Sequence, residues 1–230
     1  MSLDDTYQSY VDLNIFTNCT KRYSDSGNLI GNTVKSLLNI FGDHHINFIR
    51  VFIDPQPCPE KLDSYIEYIS KEAWLPQYGS LIDELFVTNG LADGYIKSTQ
   101  VCDTDYIFQV EHDWIFLDTI KHDLGFLINC MKEQSMHHLR FNKRANIHKP
   151  WDRLTPISVL GCDFCKTSIR SNNPHIIDRQ SYLNKWNSYI DLSNTPNRAD
   201  GIENKMVGLD GYIYGGFQYP QQIQHVDGRN

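Results

Sequence analysis

The stretch Ile46-Asn47-Phe48-Ile49-Arg50-Val51-Phe52-Ile53 is almost continuously apolar, is rich in β-branched residues and stops at Asp54-Pro55. A short apolar run closed by a turn signal is the pattern of a strand buried on both faces of a parallel sheet. Upstream, Tyr10 to Thr17 alternates apolar and polar residues and predicts a second strand, followed by a polar turn from Asn18 to Asn28. Between the two, Val34, Leu37, Leu38 and Phe41 fall at helical spacing, with Asn32 or Thr33 as the cap. Downstream the pattern repeats: helix from Leu62 to Ile69, strand from Glu84 to Thr88, helix from Leu91 to Gln100, strand from Asp105 to Val110. A long helix from Thr119 to Gln134, a strand from His137 to Asn142 and a helix from Asp178 to Ile190 follow, and the tail from Gly208 reads as strand and loop. The region from Lys143 to Ser171, broken by Pro150 and Pro156, carries no clear period. Alternating strands and helices predict an α/β fold, Rossmann-like, with a mostly parallel central sheet and helices on both faces. Neither repeats nor an obvious linker divide residues 1–230, so a single domain is expected.

Bulk composition narrows the function classes. The 230 residues are 40% hydrophobic and 21% charged, the balance of a folded globular protein. A formal net charge of -7 argues against a nucleic-acid binder, which needs clustered Lys and Arg. The densest basic stretch, Arg140 to Lys149 with Lys143, Arg144 and His148, suffices for one diphosphate or one acidic acceptor and is short for a duplex footprint. No apolar run approaches the roughly 18 to 20 residues of a membrane helix, and no secretion signal opens the chain, so a soluble, cytoplasmic protein is expected. Cys19, Cys58, Cys102, Cys130, Cys162 and Cys165 then read as free thiols. Cys162 and Cys165 form a lone CxxC; only His137, His138 and His148 stand as candidates to complete a zinc site around it.

In open α/β sheets ligands bind beyond the carboxyl ends of the strands, and the chemistry-bearing residues stand there. Thr17, Asn18 and Arg22 follow the first strand, Asp54 the second, Asn89 and Gly90 the third, and Glu111-His112-Asp113 the fourth. Carboxylates at alternate residues of a strand end bend toward one point, and such oxygens suit Mg2+ or Mn2+ while leaving positions for phosphate oxygens.

The segment from Asp105 through Glu111-His112-Asp113 to Leu117 resembles the surroundings of the DxD motif in GT-A glycosyltransferases, with Glu in place of the first Asp. The resemblance is specific there and loose elsewhere, from Val11 to Gly228. It implies a nucleotide-binding half over residues 1–117 and an acceptor-side half over 118–230. Thr17, Asn18, Arg22 and Asp54 correspond to the places that hold base and ribose, although Asp54 before Pro55 is also an ordinary turn former. Gly94 to Lys97 stands where inverting relatives carry an Ala-Arg-Asn cluster, so Lys97 is a candidate for a phosphate. Ala199-Asp200-Gly201-Ile202-Glu203-Asn204 resembles the motif that supplies the catalytic base; the resemblance points to Glu203, then Asp200. Gln224-His225-Val226-Asp227-Gly228 resembles a C-terminal His-x-Gly element, which makes His225 a third metal ligand. Ser171 to His175 resembles the acceptor side, with Asn172, Asn173 and His175 toward sugar hydroxyls and Trp114, Tyr182 and Trp186 as stacking rings.

The resulting expectation is a metal-dependent glycosyltransferase taking a UDP- or GDP-sugar to an unidentified hydroxyl of a glycan or other acceptor, with inversion. Two rivals stand beside it. A nucleotidyltransferase shares the sheet, nucleotide and metal but generally needs a Gly-rich basic loop, and Gly27 and Gly31 stand too far apart to form one. A non-catalytic sugar- or nucleotide-binding protein on the same fold would have no need of the acidic pair.

Overall fold

The structure is a computed structural model that describes residues 10–19, 29–72, 82–169, 171–189 and 209–226. The first half alternates as expected: β1 (Val11–Cys19), α1 (Leu29–Phe41), β2 (Ile46–Pro57), a 3-10 turn and α2 (Leu62–Glu72), β3 (Glu84–Val87), α3 (Leu91–Val101) and β4 (Tyr106–Glu111). The second half runs β5 (Trp114–Phe116), α4 (Leu124–Gln134), β6 (His138–Arg140), β7 (Thr155–Val159), β8 (Cys162–Thr167), β9 (His175–Asp178), α5 (Arg179–Tyr189), β10 (Gly211–Tyr214) and β11 (Ile223–His225). Nine strands make one sheet in the order β3-β2-β1-β4-β9-β6-β10-β8-β7, and β11 pairs separately with β5. The sheet is mostly parallel: β9 and β8 alone run against the other strands.

Both faces are covered. On one, α1, α2 and α4 bury Leu37, Phe41, Tyr65, Leu127 and Met131 against Leu13, Ile15, Val51 and Phe108. On the other, α3 contributes Ala92 and Tyr95 and α5 contributes Tyr182, packed with Phe16, Phe52, Ile107 and Ile177. The alternation in β1 does not mark a solvent face. Asp12 and Asn14 are as buried as their apolar neighbours, and Gln109 of β4 joins them. They form a polar seam: Asp12 Oδ2 lies 2.8 Å from Arg50 Nη1, and Asn14 Nδ2 donates to Cys102 Sγ at 3.2 Å.

Several boundaries differ from the sequence reading for local reasons. Strand β2 runs on past Asp54-Pro55 to Pro57. Helix α4 begins at Leu124 rather than Thr119, because Asp123 caps it by accepting the Phe126 N–H at 2.7 Å. The aperiodic region holds the hairpin β7–β8, closed by Leu160 and Gly161, both at positive φ (51° and 84°). Strand β9 occupies what read as an acceptor loop. The CxxC lies on β8, where residues three apart point to opposite faces; Cys162 joins the α4 side and Cys165 packs with Leu154 and Ile213. That geometry precludes a shared metal. All six cysteines are free and buried, and burial pushes the Cys162 thiol up to about 12 and that of Cys165 to about 11. No helix among the described residues is long and apolar enough to cross a membrane.

Candidate active site

The order in which strands are added reverses at β1: β2 and β3 are laid down on one side of it, β4 on the other. A crevice opens at such a switch point beyond the carboxyl ends of the two strands. Glu111 closes β4 beside Phe16 of β1. The ladder then extends one residue, His112 N–H donating to Phe16 O at 2.9 Å, while Thr33 Oγ1 of α1 donates to His112 O at 2.7 Å. Held from both sides, the turn sends Asp113 inward, where it is only 5% exposed.

The opposite wall is the chain's far end. Strand β11 pairs with β5 so that His225 stands across from Trp114, and Val226 N–H donates to Asp113 O at 2.9 Å. His225 Nε2 lies 3.1 Å from Asp113 Oδ2, and its ring packs on the Trp114 indole with centroids 4.4 Å apart. Glu111, Asp113 and His225 each offer one ligand atom, all within 4.8 Å of one another. Asp113 Oδ1 is buried and has no hydrogen-bond partner among the described residues. A carboxylate oxygen removed from water and left unpaired costs about 1 to 3 kcal/mol or more, so its persistence calls for something that satisfies it. Two carboxylates and an imidazole fit Mn2+ well and Mg2+ adequately.

Two buried amides hold this wall in place, and the sequence reading missed both. Gln222 accepts the Asn142 N–H through Oε1 at 2.6 Å, and its carbonyl accepts the Leu117 N–H at 2.9 Å. Asn146 Nδ2 donates to the carbonyls of Tyr214, Gly215 and Gly216 at 2.8 to 3.2 Å. Gly215 needs its φ of +80°, and a Cβ there would sit 2.2 Å from Tyr219 Cγ. No local pattern marks a lone Asn or Gln as a clamp. Asn146→Ala is expected to cost about 2 kcal/mol by stranding buried carbonyls. The same substitution should weaken Mn2+ binding by loosening the loop that carries His225; urea unfolding and metal titration measure the two effects.

The structure sorts the other sequence candidates. Asp54 lies within β2, in register with Asn18 of β1, at the same edge of the sheet as the acidic turn. Its Oδ1 accepts the Gln56 N–H at 2.9 Å, the turn-former arrangement, and burial raises its pKa. Thr17 and Asn18 belong to β1 rather than to a loop, and the Thr17 hydroxyl is buried against Tyr65 OH, which removes it from a nucleotide role. Lys97 is also displaced from the phosphate role: Nζ donates to Val87 O at 3.2 Å and lies over the Phe86 ring, at β3, three strands and about 14 Å from β4. Trp114 is buried beneath His225 and is no stacking platform for an acceptor. Tyr182 is core, its hydroxyl bonded to His138 Nδ1 at 2.6 Å. Asn173 Nδ2 donates to Phe141 O at 3.2 Å and lines an open cavity with Asn142; Asn172 lies beside it in the chain, half-buried. Arg22, Asp200, Glu203 and the Trp186 side chain lie outside the described residues.

His175 is the clearest correction. It sits inside the sheet, 3% exposed, with Nδ1–H donating to Asn173 O at 2.7 Å and Nε2 bonded to the Gln109 side-chain amide at 2.9 Å. It cannot meet an acceptor. Burial, aided by nearby Arg140, lowers its pKa from 6.5 to about 4, the Asn173 carbonyl opposing the shift. Below pH 6.5 the unfolded chain therefore takes up a proton that the folded chain refuses. Stability should fall as pH drops from about 6.5 to about 4, by up to about 3 kcal/mol, and urea unfolding of His175→Gln should show a flatter profile.

With this geometry in hand, comparison with known proteins is informative about fold. No protein-family model and no curated protein sequence matches the chain. Solved structures do. Residues 1–349 of TarS from S. aureus, a GT-A-like glycosyltransferase, superpose with a TM-score of 0.57 at 12% identity, over 94% of this chain and 60% of that one. The fold is GT-A-like. The 4-diphosphocytidyl-2C-methyl-D-erythritol synthase from Anaerococcus prevotii, a nucleotidyltransferase, superposes with a TM-score of 0.51 at 9% identity, over 94% of this chain and 90% of that one. The chain thus spans 60% of the TarS portion, less than two thirds, and 90% of the synthase.

Proposed function

We propose that the chain is a metal-dependent glycosyltransferase that moves a sugar from a UDP- or GDP-linked donor to a hydroxyl acceptor in carbohydrate biosynthesis, with inversion. One observation carries the reading: Glu111, Asp113 and His225 converge at the β1/β4 crevice, and a buried Asp113 oxygen there has no partner among the described residues. A bound Mn2+ or Mg2+ would supply Lewis-acid neutralisation of charge developing on the departing nucleoside diphosphate. The chain's own residues do the rest. Glu111 and Asp113 would hold that ion at the diphosphate end of the donor, with His225 assisting from the opposite strand. Asp54 and Asn18, in register on β2 and β1, receive the ribose and base. Glu203, with Asp200 as second choice, accepts the proton of the acceptor hydroxyl as that oxygen attacks the anomeric carbon opposite the leaving group. Displacement in one step inverts that carbon.

The likeness to the synthase keeps nucleotidyl transfer as a second reading, with the same ion facing a nucleoside triphosphate. Thermal stability against UDP-, GDP-, CMP- and ADP-linked sugars, and the corresponding triphosphates, separates the two, because ligands of the native state raise the melting temperature by mass action. A shift that requires Mn2+ and a UDP- or GDP-sugar is expected. A shift with triphosphates alone favours the second reading, and no shift with any compound contradicts both.

A further inference from the structure

Beyond β9, on the side of β4 away from β1, an open cavity of about 390 Å3 runs across β6 and β10. Its lining opposes the sign of the whole molecule. The chain carries a net charge of -7, yet among the described residues the cavity gathers Arg140, Lys143, Arg144 and Lys149 against the single carboxylate of Asp152. Asp152 is moreover committed: its Oδ2 accepts from Thr167 Oγ1 at 2.7 Å and lies 3.8 Å from Arg140 Nη2. Arg140 is 6% exposed and forms the floor, while the three other cations stand at the rim in solvent. A concave wall of one sign focuses its field and concentrates ligands of the opposite sign.

The cavity also has an apolar element of a particular kind. Trp151 is 69% exposed, the most exposed large hydrophobic side chain among the described residues, and Lys149 Nζ stands 5.9 Å from its ring centroid. With Lys149 over one face of the exposed indole, the other face is a platform for a sugar ring that carries an anionic group. The cavity also adjoins the metal ligands. Lys143 Nζ lies 5.8 Å from the ring centroid of Trp114, the residue after Asp113, and Asn142 is tied to Gln222 of the loop that carries His225. Donor residues Asn18 and Asp54 occupy the other side of β4, so the two regions flank the point of transfer.

We infer that this cavity is the acceptor site and that the acceptor is an anionic saccharide, a sugar unit bearing phosphate or carboxylate. The word acceptor rests on the function proposed above; binding of an anionic sugar to the cavity does not. Titration calorimetry on the full chain, without metal or nucleotide, tests it with glucose 6-phosphate, glucuronate, glucose and inorganic phosphate as probes. Glucose 6-phosphate or glucuronate, or both, should bind, weaken at least tenfold between low and high salt, and exceed glucose and inorganic phosphate by at least tenfold. Which of the two binds identifies the anion. The exposed triple variant Lys143→Gln/Arg144→Gln/Lys149→Gln should lose at least tenfold in affinity, and Trp151→Ala should lose the advantage of the sugar probe over inorganic phosphate. Mn2+-dependent nucleotide binding should persist in both variants, which separates failure here from failure of the donor assignment. Equal binding of glucose, equal binding of inorganic phosphate, absence of binding by either anionic sugar, or parallel loss of nucleotide binding in the triple variant would each overturn the inference.

Discussion

Replacing Asp113 by Asn should remove Mn2+ binding and lower sugar transfer by roughly 100- to 1,000-fold, the scale expected when charge stabilisation worth several kcal/mol is lost from a reacting centre. The substitution keeps the shape of the side chain, so the turn held by Thr33, Phe16 and Val226 should survive. It also removes a charge whose Oδ1 is buried without a partner among the described residues. The metal-free variant should therefore melt within a few degrees of the wild type or slightly above it. The contrast between unaffected folding and lost metal affinity is the signature of a ligand. An Asp113→Asn protein that binds Mn2+ as tightly as the wild type would remove the metal role.

The largest stability loss is expected far from the site. Asp12 is fully buried in β1, and its Oδ2 lies 2.8 Å from Nη1 of Arg50, itself 3% exposed. Asp12 also accepts from Asn47 Nδ2 at 3.0 Å and from the Asp103 N–H at 3.2 Å. Asp12→Ala strands the guanidinium in the sheet with only the half-exposed Glu84 as counter-ion. Breaking a buried pair from one side costs about 3 to 5 kcal/mol, whereas replacing both members by apolar residues is often neutral. The urea midpoint should drop accordingly with an unchanged slope, and Asp12→Leu/Arg50→Met should recover most of the loss. A loss below about 1 kcal/mol would mean that water reaches the pair.

These two cases mark where sequence reasoning reaches and where it stops. The run from Ile46 to Ile53 announces a buried strand because hydrophobicity without a period leaves no face for water, and β2 lies inside the sheet. The acids at Glu111 and Asp113 announce themselves by standing at a strand end, where the topology opens a crevice. Polar residues inside strands were harder to read. Asp12, Asn14 and Gln109 alternate like a solvent face, yet they are buried because each finds a partner on a neighbouring strand or helix. His175 was legible as a residue that bonds, but its partners proved to be Asn173 and Gln109. The hairpin at Leu160-Gly161 escaped because leucine is not a turn former and a lone glycine is a weak signal; Leu160 sits exposed at the tip rather than packed. His225 is 112 residues from Asp113 in the chain and reaches it through the pairing of β11 with β5, a three-residue contact too short to leave a pattern. Resemblance to a family, rather than spacing, pointed to it.

The chemistry is decided by the leaving group. The donor that stabilises the chain with Mn2+ should be incubated with it and the products followed by phosphorus NMR. Slow, Mn2+-dependent appearance of the nucleoside diphosphate, lost in Asp113→Asn, is the expected result, since even water accepts a sugar from an activated donor. Release of pyrophosphate from a nucleoside triphosphate, with the nucleotide-sugar left intact, would contradict it.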